Sequence, residues 1–382
     1  MILKFTDNSK HSAFCPLALT RPIADLRFGI LTIQDTWSKL ISATGESVNL
    51  YYETESYLNG KFPNIESYDF LVAGNFKPAS TSANALLNLQ QGENLIVNGQ
   101  WLASRGTNTG KTIEIEDSEA IWLENIWDLF QQNAAAIALD FHLLTIGRNS
   151  QPISTTNQVL NPEQVFIEEG AKVECTIINA SSGPVYIGKD AEVMEGSMIR
   201  GPFALGEHAT IKMGAKIYGP TTVGTECKIG GEVSNCIFYA YSNKGHDGFI
   251  GNSLIGEWCN LGADTNSSNL KNNYGLIKLY DFNSKSLVQT PLQFCGLLMG
   301  DHSKTGINTM LNTATTIGVS ANVYGAEFPP KYIPSFAWGP KDKFQFDKAL
   351  EVSENMMKRR NLSLSDSEKE ILEHLFKTSS LA

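Results

Sequence analysis

The sequence predicts an α/β domain with a Rossmann-like layering, followed by a left-handed parallel β-helix and a short α-helical tail. Three observations carry this: an alternation of short apolar runs with helical patterns before residue 150, a period of six in the middle, and a Pro-rich exit followed by a capping signal. The boundaries read as 1–150, 160–330 and 331–382.

In the first region, Phe70-Leu71-Val72-Ala73 reads as a buried strand, with Gly74-Asn75 as its exit turn. Ile126 to Leu144 reads as helix, since apolar residues recur there at three and four. The polar stretch 149–161, with Pro152, leads into Pro162 and reads as a linker.

Apolar residues then fall at Ile187, Val193, Ile199, Leu205, Ile211, Ile217, Val223 and Ile229, and the register returns as Phe249, Ile255 and Leu261 and as Leu311, Ile317 and Val323. Gly follows directly at 188, 206, 224, 230, 256, 262 and 318. A helix of about 3.6 residues per turn cannot keep a period of six on one face. A short strand and a tight corner can, with three such rungs per coil and one apolar side chain per rung pointing inward. Residues 235–248 and 265–304 break the register, which predicts loops thrown off the stack, where function tends to sit. Beyond it, Pro329, Pro330, Pro334 and Pro340 mark an exit, and Ser365-Asp366-Ser367-Glu368 is a capping box for the second of two amphipathic helices. These helices read either as a cap on the last coil or a wall of a coenzyme site, or as a solvated tail.

Composition excludes several classes. A chain of 382 residues with 42% apolar and 18% charged residues has the balance of a globular protein with proper cores. Its net charge of −10 argues against nucleic acid as a partner. The 6 cysteines form no C-x-x-C pair, which predicts reduced thiols in a cytoplasmic protein and no zinc site. The segment Met1–Asp7 lacks the apolar core of a signal peptide, and no window is apolar enough to predict a membrane span.

The chemistry-bearing candidate is His246, in Ser242-Asn243-Lys244-Gly245-His246. Transfer of an acyl group from a thioester to an amine needs a base near neutrality and donors for the oxyanion. An imidazole suits the first role, although a histidine between rungs is also often merely solvated.

Asn243-Lys244-Gly245-His246, followed by Ile255-Gly256-Glu257-Trp258-Cys259-Asn260-Leu261-Gly262-Ala263, resembles the catalytic segment of the bifunctional N-acetylglucosamine-1-phosphate uridylyltransferase/glucosamine-1-phosphate N-acetyltransferase family. The resemblance implies a hexapeptide acyltransferase domain with His246 as catalytic base. Asn269, in Gly262-Ala263-Asp264-Thr265-Asn266-Ser267-Ser268-Asn269, falls where the family's Asn binds the acceptor, and Glu232 where it has a Glu beside the acceptor amine. Gly300-Asp301-His302-Ser303-Lys304-Thr305-Gly306-Ile307-Asn308 resembles a segment of the archaeal form, which implies Ser303 and Lys304 near the acceptor or coenzyme. The chain departs from the family at three acceptor positions: Phe249 replaces a Tyr, Ser234 a Lys, and Tyr218 an Arg that would meet the sugar phosphate. Lys216, Lys244 or Lys304 is expected to substitute for the lost cations.

Residues 17–33, with Thr20-Arg21-Pro22 and Leu26-Arg27-Phe28-Gly29, resemble the divergent sugar nucleotidyltransferase domain of the Bacteroidetes versions. That resemblance implies a nucleotidyltransferase-like domain, with Arg21 and Arg27 as phosphate-binding candidates and Asn75 where the family places its metal-binding Asp. The two arginines read equally as partners of carboxylates, and an amide is a poor Mg²⁺ ligand. Taken whole, the resemblance implies acetyl-CoA as co-substrate, an amino sugar phosphate as acceptor, UTP and Mg²⁺ for a nucleotidyl step, and a homotrimer. A nucleotide-sugar-binding regulator or scaffold with one or both activities lost is the competing reading. A third, a metal-dependent hydratase, would need His208, His246 and His302 to converge.

Overall fold

The computed structural model describes residues 1–106 and 110–379. Its first region holds strands β1 (Ile2–Thr6), β2 (Asn49–Glu53), β3 (Phe70–Ala73), β4 (Phe76–Lys77), β5 (Glu93–Val97), β6 (Gln100–Arg105), β7 (Lys111–Ile115) and β8 (Ile121–Trp122). The main sheet runs β2-β1-β3-β6-β5-β7, with β1 parallel to both of its neighbours and β3 antiparallel to β6. The strand and turn read at 70–75 stand as expected, and Phe70, Val72 and Ala73 are buried. Helix α1 (Ile33–Ser42) starts at Thr32, whose hydroxyl accepts from the Asp35 N–H while the Asp35 carboxylate accepts from the Thr32 N–H. It lays Ile33, Trp37 and Ile41, four residues apart, against the core. Helix α2 (Ser80–Asn88) follows β4. The helix expected over 126–144 is two, α3 (Asp128–Gln131) and α4 (Asn133–Thr145). The break falls at Gln132, whose side chain donates to the Trp122 carbonyl at 3.1 Å, and the next side chain, Asn133, turns into the junction with the second region.

The second region is a parallel β-solenoid. Register pairs Lys172 with Glu192, Glu192 with Thr210 and Thr210 with Lys228, offsets of 20, 18 and 18 residues, so a regular coil is three rungs of six. The inward residues Ile187, Val193, Leu205, Ile211, Val223 and Ile229 are buried in one continuous column. The first break is a shortening and throws off no loop: Lys228 pairs with Asn243 and Asn243 with Asn260, offsets of 15 and 17. Continuous strands at Glu232–Phe238 and Phe249–Ile255 cut across what would be a corner. With fewer residues per coil the register slips by one, so Ile250 points inward and Phe249 faces out. The second break is an insertion, since Asn260 pairs with Lys304, and it carries the antiparallel hairpin 278–281/286–289. The stretch read as a linker already belongs to the stack: Gln158–Leu160 pairs with Ile177–Asn179. Coils continue past residue 330 through Tyr332–Ile333 and Ala337–Trp338.

Helices α5 (Phe346–Lys358) and α6 (Asp366–Thr378) are a cap, not a solvated tail. The box at Ser365 and Glu368 forms, and Ile371, Leu372 and Leu375 are buried. Phe376 meets Phe336 of the last coil edge-on at 5.2 Å, while His374 stacks on Tyr57 of the first region at 4.2 Å.

Shortening the coil also puts a cation in the core. Lys244 stands in register with Ile211 and Ile229, is buried, and donates to the carbonyls of Gly230 (3.1 Å) and His246 (2.8 Å). Burial pushes its ammonium from 10.5 down to about 8. Between those values the folded chain binds fewer protons than the unfolded one. The penalty that Lys244 imposes on folding is therefore present in full below pH 8 and lifted as the pH rises to 10.5. Urea unfolding of wild type and Lys244→Met should show their stability difference moving toward wild type by about 3 kcal/mol across that window. A constant difference would mean that the ammonium is solvated.

Candidate functional site

One outer face of the solenoid gathers most of the predicted acceptor residues. Register places Lys216, Glu232 and Phe249 in one row across successive coils, and Tyr218, Ser234 and Gly251 in the next. Asn269 enters from the following coil: its amide donates to Asn252 Oδ1 at 2.7 Å, and a Cβ at Gly251 would lie 2.6 Å from its Nδ2. Glu232 faces Lys216 at 3.8 Å, and both are substantially exposed. His246 stands at the corner just before Phe249, exposed, and among the described residues its imidazole has no hydrogen-bond partner. The corner is held from beneath. Lys244 grips the His246 carbonyl, and Gly231, at φ +72°, passes so close that a Cβ there would lie 2.9 Å from the same oxygen. The arrangement presents an imidazole, a carboxylate, an amide and an aromatic ring on one open face.

Other predicted residues lie elsewhere. Lys244 points into the core and cannot reach a phosphate. Ser303 is fully buried, donating to the Gly318 carbonyl and accepting from the Ala321 N–H, so it ties adjacent coils together and faces no coenzyme. Lys304 donates to the His302 carbonyl, and burial pushes it down to about 8. Of the three lysines expected to replace the lost cations, Lys216 alone stands on this face. Arg200, which no motif marked, is the missed one. The pairing of Ile177–Asn179 with Met198–Arg200, and of Met198 with Lys216, puts Arg200 one coil before Tyr218. Arg200, Lys216, Tyr218 and Asn179 line a cavity of about 330 Å³. The signal for it was present: Arg200 lies 18 residues before Tyr218, one coil away.

The imidazoles of His208, His246 and His302 do not converge. His302 is buried over Trp258, which stacks on Tyr241 at 4.1 Å, and burial pushes it down to about 4. Among the described residues, the group close enough to share an ion is Asp190, Glu207 and His208, all exposed.

In the first region, the candidates serve the fold. Arg21 is buried, and its guanidinium meets Asp301, Glu257 (3.2 Å) and Asp25 (3.9 Å). Burial alone would push its pKa down, but these carboxylates hold it well above the usual value. Asp25 is pushed up to about 7 by burial, against the pull of Arg21. Two of these carboxylates belong to the solenoid, so the cluster is the seam between the regions. Arg27 donates to the Ile30 carbonyl at 2.6 Å, and its backbone N–H to the Tyr239 hydroxyl at 3.0 Å. Asn75 is buried and donates to the Leu123 carbonyl at 2.6 Å. The neighbouring carboxylate, Asp7, accepts from the Ile23 N–H and the Thr54 hydroxyl, and burial pushes it up toward its neutral form. These residues do not fit a Mg²⁺ ion.

A family model described as sugar nucleotidyl transferase matches residues 2–149. The bifunctional protein GlmU of Methanocaldococcus jannaschii is 32% identical over 87 residues, which are 23% of this chain and 21% of that protein, so the match spans about a fifth of the relative's length. Among solved structures, a UDP-N-acetylglucosamine acyltransferase from Campylobacter jejuni aligns with 60% of this chain and 97% of its own, at 14% identity and a TM-score of 0.25. The polysialic-acid-specific acetyltransferase NeuO aligns with 50% of this chain and 82% of its own, at 10% identity and a TM-score of 0.22. No helix in the described residues is long and apolar enough to cross a membrane. Residues 2–149 thus match a sugar nucleotidyl transferase model in one chain with a parallel β-solenoid, which is the pairing that the resemblance to the bifunctional family implies.

Proposed function

We propose that the solenoid transfers an acetyl group from acetyl-CoA to the amine of an amino sugar phosphate, glucosamine 1-phosphate or a close relative. The observation that carries this is the gathering of His246, Glu232, Phe249 and Asn269 on one face. His246 takes the proton that the attacking ammonium must lose. The nitrogen lone pair then adds to the thioester carbonyl, and collapse of the adduct breaks the C–S bond and expels the coenzyme A thiolate, which takes up the second proton that the amine nitrogen loses. Glu232 and Asn269 orient the amine and its sugar. Arg200, one coil from the family's usual place, and Lys216, on the same strand as Tyr218, supply the positive charge that a phosphate needs. The acetyl donor would lie along a groove between neighbouring solenoids, which supports a homotrimer, working in the cytoplasm.

Coenzyme A release from acetyl-CoA and glucosamine 1-phosphate tests this. His246→Ala is expected to lower turnover by about a hundredfold or more. Undiminished turnover in the variant, or none in wild type with any amino sugar, would sink the reading.

For the first region a second reading is favoured by a specific observation. Arg21 and Asn75 are committed to internal bonds, so they neither cradle a triphosphate nor hold Mg²⁺. The domain then serves nucleotide-sugar binding or assembly, and a transfer of nucleotide from UTP would have to use residues other than these two.

A further inference from the structure

Where the two regions meet beside α3, a groove of about 570 Å³ opens that the reading above does not use. Its floor is made of amides. Asn235 and Asn252 occupy equivalent corners of adjacent coils, flanked by the paired residues Ser234/Gly251 and Cys236/Ser253, with φ of +54° and +47°. Asn tolerates this left-handed backbone better than most residues. The Asn269 amide donates to Asn252 and extends the ladder to three. The Asn235 Oδ1 is buried and has no partner among the described residues. A buried amide oxygen left unpaired has lost its water without gaining a donor, so such a group marks a place where a ligand donor is wanted. The walls add Gln131 of α3, Gln293, Leu276 and Phe294, the last two 46% exposed. Among the described residues, no cation or carboxylate lines the groove.

Amides that offer a donor and an acceptor side by side, next to an open aromatic face, match the hydroxyls and apolar face of a pyranose. We infer that this groove is a saccharide subsite that takes an uncharged, hydroxyl-bearing ring, with Asn235 and Asn252 reading hydroxyls and Phe294 stacking on the ring. The inference needs only the geometry of the groove and stands apart from the acetyl-transfer reading. The ring could come from a second sugar of the acceptor, through the Asn269 link, or from a separate saccharide.

The test is titration of the full chain with N-acetylglucosamine, followed by ligand-observed NMR, on wild type, Asn235→Gly, Phe294→Ala and His246→Ala. Asn235→Gly suits the positive φ, and Phe294 is exposed, so both variants should fold. Saturable millimolar binding, weakened about fivefold or more in the first two variants and unchanged in the third, is the expected result. Inhibition competitive with the amino sugar and relieved by Asn235→Gly and Phe294→Ala would assign the ring to the acceptor; groove-dependent binding without competition would assign it to a separate saccharide. An absence of saturable binding, or binding that Asn235→Gly and Phe294→Ala both leave intact, would overturn the inference. A protein that binds the sugar but never turns over would refute only the proposed transfer.

Discussion

Arg21→Ala is expected to destabilise the chain by about 3–5 kcal/mol, because it leaves buried carboxylates without their cation. Asp301 is fully enclosed, and although burial pushes its carboxyl up, Arg21 and the Thr20 hydroxyl hold it below the ordinary range. Removing the guanidinium exposes that group, Glu257 and Asp25 to one another in a site that water reaches poorly. The seam also stacks Arg21 over the Tyr239 ring at 5.1 Å, so packing is lost with the charge. Arg21→Lys is expected to recover only part of the loss, since one ammonium cannot address three carboxylates as a planar fork does. Urea unfolding reads both variants. A wild-type midpoint in Arg21→Ala, with nucleotide affinity alone reduced, would return the residue to phosphate binding.

The period of six was legible because each inward residue from Ile187 to Ile229 sees the same environment, coil after coil. The slip at Phe249 and the inward turn of Lys244 were not, because the number of residues per coil changes and a one-residue shift sends every side chain to the other side. His246, Glu232 and Asn269 could be found by spacing within one motif. Arg200 could be found only by counting one full coil from Tyr218. The fate of Arg21 was the least legible. Its partners Glu257 and Asp301 lie 236 and 280 residues away, and local sequence allows a carboxylate and a phosphate equally. The stretch 149–161 read as a linker because its side chains are polar, yet its backbone completes the first coil through bonds such as Gln151 N–H to the Ile167 carbonyl at 2.8 Å.

Asp140→Ala is expected to be as damaging as the loss of Arg21, again by about 3–5 kcal/mol, and for a related reason. Lys77 and Asp140 are both fully buried and lie 2.9 Å apart. Asp140 also accepts the N–H groups of Ile30 (2.8 Å) and Leu31 (2.9 Å), and Lys77 donates to the Phe28 carbonyl and the Thr36 hydroxyl, each at 2.8 Å. One ion pair therefore fixes the turn at Gly29, whose φ of +83° brings it so near that a Cβ would stand 2.5 Å from the Asp140 carboxylate. Gly29 in turn accepts from Thr222 of the solenoid at 2.9 Å, so the pair reaches the seam through this turn. Burial pushes the Lys77 ammonium down, against the pull of Asp140; without the carboxylate the lysine loses that support and two backbone donors lose their acceptor. The double variant Lys77→Met, Asp140→Leu removes both charges and should regain part of the loss, though not the turn's hydrogen bonds. A double-mutant cycle of Lys77→Met, Asp140→Leu and the two together, by urea unfolding, measures the coupling, expected at about 2 kcal/mol or more. Additive effects would mean that the two charges are separately solvated and that the turn at Gly29 is held by its backbone alone.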